Sequence, residues 1–246
     1  MEIISGTGQI LGRNVVTNIT QSRRNENRVN IYIDGKFEFS LDLTQVVDFK
    51  IKVGRQLEPH EITEYRHASE FGKLYQRALE WVLMRPRSVR ETRDHLKQSL
   101  TKREIENRHR AENKLRSRDD IRDLKLRTKP MPLFTPEDIE NVIERLQAKN
   151  YLNDENFAKF YIENRNVKKG ISERRLRQEL AQKGVSQNVI NNAFATTERD
   201  PSEEIAKIIA KKRHKYNDAQ LINYLVRQGF EYELVQNLVR ETDSQN

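Results

Sequence analysis

The sequence predicts a mainly α protein, with three tandem three-helix repeats behind a small N-terminal β domain. Three observations lead there. A pattern of residues recurs at a spacing of 45 in the C-terminal half. Period-two alternation of β-branched and aromatic residues is confined to the stretch that ends near residue 57. Hydrophobic residues make up 35% of the chain and charged residues 33%, which suits several small helical units better than one deep core.

The β domain is expected over 1–60. "NVVTNITQ" and "RVNIYIDGKFEFSL" read as strands. Asp34-Gly35 between them is a strong hairpin signal, because a type I′ turn needs positive φ at both central residues. "LTQVVDF" reads as a short helix, and "KVGRQLE" as a last extended piece. Six of the nine glycines precede residue 73, consistent with a boundary nearby.

The repeats follow at 61–150, 151–198 and 199–246. In the second, Leu176, Leu180, Gly184, Val185, Ile190 and Phe194 are separated by four, four, one, five and four positions. Adding 45 gives Leu221, Leu225, Gly229, Phe230, Val235 and Val239, with the residue class kept at each step. Ser172 falls on Asn217, and both are good N-caps. The first repeat is degenerate and split. Ser88 and Leu96 lie 84 before Ser172 and Leu180, whereas Phe134, Ile139 and Ile143 lie 51 before Val185, Ile190 and Phe194. The difference places a charged insertion of 33 residues at about 101–133, where eleven Lys or Arg face six Asp or Glu, and helix is expected there.

Punctuation sets the helices at about 66–84, 88–100, 135–149, 153–167, 172–183, 186–196, 201–214, 217–228 and 231–241. Pro86 ends the first, Ser88-x-x-Glu91 opens the second, and Thr135-Pro136 and Asp200-Pro201 pair a cap with a proline at the first helical position. Gly184 and Gly229 sit where a helix wants a left-handed residue after its last turn. Phe157, Phe160 and Tyr161 are expected on a buried face, and Trp81 between helices.

Formal charge is +8, which favours polyanionic partners. Basic residues recur near the junction of the first and second helices of each repeat. They are Arg85, Arg87, Arg90 and Arg93 in the first, and Arg165, Lys168, Lys169, Arg174, Arg175 and Arg177 in the second. In the third they are Lys207, Lys211, Lys212, Arg213 and Lys215. Stacked repeats would line them along one edge, as a stripe for DNA phosphate or for an acidic protein surface. The sequence does not separate these two. No cysteine is present, so disulfides and thiolate chemistry are excluded. The five histidines are scattered without metal-ligand spacing, and no carboxylate cluster suits a metal-dependent nuclease. No catalytic, cofactor or metal site is expected. No apolar run approaches the ~20 residues of a membrane span, and "MEIISGTGQILG" lacks the features of a secretory signal. A cytoplasmic location is therefore expected, with no membrane partner.

"ISERRLRQELAQKGVSQNVINNAF", "RALEWVLMRPRSVRETRDHL" and "IERLQAKNYLNDENFAKFYIENR" resemble the RecX family, regulators of the RecA recombinase. The Leu-x-x-x-x-Tyr-Leu-x-Asp stretch from Leu146 to Asp154 is especially characteristic, and "VNIYIDGKFEFSLD" resembles the N-terminal extension of some members. The resemblance spans 15–241 and departs from the family at the insertion. It implies an elongated crescent of nine helices that binds the RecA–DNA filament as a monomer. It also implies that the protein modulates recombination, usually as an inhibitor. The competing reading is an architectural repeat protein that binds nucleic acid with no recombinase partner.

Overall fold

The computed structural model describes residues 14–23, 25–101 and 134–243. The expected helix in the 101–133 insertion lies outside the described residues, apart from Thr101, which is helical. The chain forms two compact units. Among the described residues, one comprises 14–78 with 99–101 and 134–142, the other 79–98 with 143–243.

In the first unit, β1 (Val16–Ser22), β2 (Asn25–Ile33) and β3 (Lys36–Asp42) form an antiparallel sheet in that order. Asp34 and Gly35 have φ of 48° and 78°, the positive pair that the hairpin requires. Val29, Ile31 and Ile33 alternate inward from β2, and Phe39 and Leu41 from β3. α1 (Leu43–Asp48) is held by a capping box in which Asp42 and Gln45 satisfy each other's backbone N–H groups. "KVGRQLE" forms a turn with a single bridge, Val15 to Gln56, rather than a strand.

α2 (Pro59–Leu83) begins well before the expected residue 66. Ile62 and Tyr65 explain this, since both are buried in the sheet core, and Tyr65 stacks on Phe49 at 4.4 Å. A buried arginine fastens the same helix to the sheet. Arg28 donates to the Ser40 carbonyl at 2.5 Å and to that of Ser69 at 3.3 Å. Burial lowers its pKa, while Asp42 and Glu70 oppose that shift. α4 (Pro136–Ala148) is capped by Thr135 and Asp138, each accepting from the other's backbone, and Asp138 also meets His67 at 3.1 Å.

The second unit holds α3 (89–101) as far as 98, with α5 (Asp154–Asn164), α6 (Glu173–Gln182) and α7 (Gln187–Thr196). It is completed by α8 (Pro201–Lys212), α9 (Asp218–Arg227) and α10 (Tyr232–Asp243). Leu176, Leu180, Val185 and Ile190 share a core with Phe157, Ala158 and Ile162 of α5. Their partners 45 residues on, Leu221, Leu225, Phe230 and Val235, share one with Ile205, Ile208 and Ile209 of α8. Phe160 falls outside the first of these cores and is partly exposed, because Ala158 and Ile162 take the inward positions. Trp81 is sandwiched as expected, with the His95 ring 3.9 Å away and nearly parallel and the Arg87 guanidinium 3.7 Å from its centroid.

The motif from Leu146 to Asp154 also has a physical account. The Leu146 carbonyl accepts from Tyr151 and Leu152, with Asn150 in the left-handed region, and this closes α4. Leu146 and Leu152 are buried, and the Asp154 carboxylate accepts the Val89 N–H at 2.9 Å at the entry to α3.

The middle helices of the three repeats meet end to end. Ser88 caps α3, accepting from Glu91 N–H, and donates its hydroxyl to the carbonyl of Lys183, the C-cap of α6, at 2.8 Å. Ser172 caps α6 in the same way and donates to the carbonyl of Gln228, the C-cap of α9, at 2.5 Å. Gly184 and Gly229 follow these carbonyls with φ of 82° and 96°, and a Cβ on them would strike Arg90 and Arg174, which are 84 positions apart. Gly170 is equally constrained, with φ of 75° and no room for a Cβ against Ile208 at 2.7 Å and the Glu204 carbonyl.

Two glycines with nearly the same φ therefore separate conformation from packing. Gly35→Ala meets nothing within 4 Å and is expected to cost only the left-handed penalty, about 1–2 kcal/mol. Gly170→Ala adds an overlap and is expected to cost clearly more in urea unfolding. Equal losses would remove the packing argument.

Candidate functional site

All fifteen basic residues singled out from the sequence lie in the second unit, but the structure gives them different surroundings. Several are tied into the repeats. Arg165 donates to Glu179 at 2.8 Å, and Tyr161 O–H donates to the same carboxylate at 2.6 Å. Burial and that carboxylate push the Tyr161 hydroxyl up to about 12, while the Arg165 hydrogen bond holds Glu179 below the usual carboxylate range. Arg177 pairs with Glu173 at 2.7 Å and covers the Phe194 ring. Lys207 binds Glu204 at 2.8 Å, and Arg213 binds Asp218 at 3.1 Å. Arg85 pairs with Glu91 at 3.7 Å, Arg90 faces Asp94 across one helical turn, and the Arg93 charge acts on Asp154. Arg87 is held by its stack on Trp81, and burial lowers its pKa. Arg174 lies against Gly229.

Four of the others, Lys169, Arg175, Lys211 and Lys212, converge where the second and third repeats join. A recess there is walled by Lys169, Arg175, Lys211, Lys212, Tyr224 and Gln228. Helix ends position each of them. Lys169 precedes the left-handed Gly170 that turns the chain into α6, and Arg175 sits in the first turn of α6. Lys211 and Lys212 close α8, where cations oppose the negative end of the helix dipole. The Lys211 ammonium donates to the Lys168 carbonyl, bringing the two basic clusters into contact. Arg175 donates to the Gln228 side-chain oxygen at 2.9 Å and approaches Glu179 at 3.5 Å. Lys212 lies over the Tyr216 and Tyr224 rings, which stack on each other at 5.7 Å. Among the described residues, no carboxylate lines this recess, and the ammonium groups of Lys168, Lys169 and Lys215 have no ion pair.

Sequence reasoning missed two kinds of residue. Tyr224 joins the basic recess, with Tyr216 stacked on it, because α8 and α9 fold back on each other, and neither carries a recognisable motif. Glu204 was also missed. Its carboxylate is 4% exposed and accepts from Ile171 N–H, Arg199 and Lys207, so it pins the entry of α6 to the start of the third repeat. Burial raises its pKa, but these donors outweigh that effect and hold it low. Its place beside Pro201 in a helix-opening sequence gives only a capping signal.

Comparisons with known proteins bear on the whole chain. Residues 14–58 match the family model of the regulatory protein RecX N-terminal domain, and residues 153–193 match that of the RecX second three-helix domain. The regulatory protein RecX of Listeria welshimeri is 30% identical over 264 residues, spanning 93% of this chain and 97% of its own. That of Bacillus licheniformis is 26% identical over 239 residues, spanning 94% and 78%. A crystal structure of a regulatory protein RecX shares the fold, with a TM-score of 0.62 at 19% identity over 92% of this chain and 98% of its own.

The carboxylates that bind the repeats together make stability sensitive to acid. Glu179 and Glu204 have depressed pKa values in the fold, so their contribution is complete above the ordinary glutamate value of about 4.3. It is lost as the pH falls through their lower folded values. Glu204→Ala leaves Arg199 and Lys207 without their buried partner and is expected to cost about 3–5 kcal/mol. Glu204→Gln, which can still accept from Ile171, is expected to cost less and to flatten the loss of stability below pH ~4.3 in urea titrations. An unaltered pH profile in Glu204→Gln would remove Glu204 as its source.

Proposed function

The chain belongs to the RecX family, and from that premise we propose that it is a non-enzymatic regulator that binds the RecA–DNA filament. In this reading it lowers the filament's recombinase and ATPase activity during DNA repair and recombination in the cytoplasm. The observation that carries the reading is the full-length similarity to regulatory proteins of that name.

The site chemistry supports it. The recess between the second and third repeats gathers four cations from two helix ends, the start of α6 and the close of α8. A surface of this kind acts by binding rather than by bond-making. Long-range attraction draws in a polyanion, and short-range hydrogen bonds then fix its register. The head-to-tail junctions keep neighbouring repeats in fixed register, so residues far apart in sequence meet one partner together. A regulator built this way works stoichiometrically, by occupying filament surface.

Adding the protein to RecA on single-stranded DNA is expected to lower the DNA-dependent ATPase activity, with saturation near a fixed ratio of protein to filament. The protein alone is expected to turn over no ATP. Unchanged ATPase activity at saturating protein would overturn the reading and leave the architectural alternative.

A further inference from the structure

The two junctions between repeats use equivalent positions with opposite charge logic. At the second junction, Lys169 and Arg175 face Tyr224 and Gln228. Moving back by the repeat offsets of 84 and 45 gives Arg85 and Glu91, and Glu179 and Lys183. There Lys183 binds Glu91 at 2.5 Å, Arg85 pairs with Glu91, and Glu179 is satisfied by Tyr161 and Arg165. Lys211 and Lys212 have Asn166 and Val167 as their counterparts. The first junction is thus charge-balanced. The second keeps the same backbone contact and replaces both carboxylates, by Arg175 and Tyr224.

We infer that the recess at the second junction binds the phosphodiester backbone of single-stranded nucleic acid, and that the first junction does not. This rests on the proposed function only for the choice of DNA as the physiological ligand.

One feature selects a nucleic acid over an acidic protein surface, since the charged lining of the recess is all cationic and would suit either. Tyr224, stacked on Tyr216, places an aromatic ring beside the cations, the combination that single strands engage through phosphate and base together. The recess also exists only when two repeats are stacked, since Lys169 and Arg175 come from one and Lys211, Lys212 and Tyr224 from the next. The evenly spaced basic clusters of the sequence are, on this reading, focused at one junction.

The test is titration of the full chain into a fluorescently labelled oligothymidylate across a salt series, with no recombinase present. Gln228→Glu is nearly isosteric and gives Arg175 a second charged partner beside Glu179, so the junction is expected to keep or gain thermal stability. It also puts a carboxylate in the recess, and oligonucleotide affinity is expected to fall several-fold. Lys211→Gln with Lys212→Gln is expected to lower the salt slope of log K by about 1.4, at about 0.7 for each lost single-strand contact. Arg85→Gln, the counterpart of a change at Lys169, is expected to leave affinity and slope unchanged. Unchanged affinity in both Gln228→Glu and the lysine pair would overturn the assignment, as would an equal loss in Arg85→Gln. Wild-type protein that binds recombinase but not the oligonucleotide would assign the recess to an acidic protein surface instead. Because the titration contains no RecA, its failure is distinct from an unchanged ATPase.

Discussion

The second unit depends on one contact made twice. The serine that caps the middle helix of one repeat donates its hydroxyl to the last carbonyl of the middle helix of the next. A helix end leaves backbone groups without intrahelical partners, and a buried group left that way costs free energy. Here each serine satisfies two of them, an N–H of its own helix and a carbonyl of its neighbour. The positive end of α3 meets the negative end of α6, and the positive end of α6 meets that of α9, so the dipoles run head to tail and reinforce one another. The contact requires the chain to leave the carbonyl at once and without a side chain. That is why a left-handed glycine follows at both places, with Arg90 and Arg174 where its Cβ would be.

Around that shared contact the charged residues diverge. Glu91 and Lys183 form an ion pair at the first junction, and Arg175 and Gln228 form a hydrogen bond between a cation and a neutral amide at the second. Both hold the repeats in register, but only the second leaves positive charge uncompensated. Glu204 adds a further tie there, and its three donors hold it ionised despite its burial. A buried charge of this kind contributes little net stability and is costly to break, which suits it to fixing one arrangement of two repeats against others.

Much of this was legible beforehand because it rests on local rules. Asp34-Gly35 announced the hairpin, since few other residue pairs take positive φ twice. Ser88, Thr135, Ser172, Asp200 and Asn217 announced helix starts, because capping itself needs only a bond from the helix's own first turn. The start of α2 was misplaced for the converse reason. Ile62 and Tyr65 obey helical spacing, but what they pack against is a sheet whose position no local rule conveys. Spacing puts Phe160 on one helical face with Phe157 and Tyr161, whereas in the fold Ala158 and Ile162 take the inward positions beside Phe157.

The sequence by itself determined the mainly helical class behind a small sheet, the capped ends of the helices, the fixed spacing of their inward residues and an excess of positive charge. These follow from side-chain type and from hydrogen bonds that reach no more than a few residues along the chain. Which cations are neutralised was decided only by the tertiary structure. Glu179 meets Arg165 across 14 residues, Lys183 meets Glu91 across 92, and Lys169 shares a recess with Lys211 and Lys212 more than a helix away. Coulomb energy depends on distance in space and on the solvent between the charges, so a basic residue acquires its role only when the repeats stack.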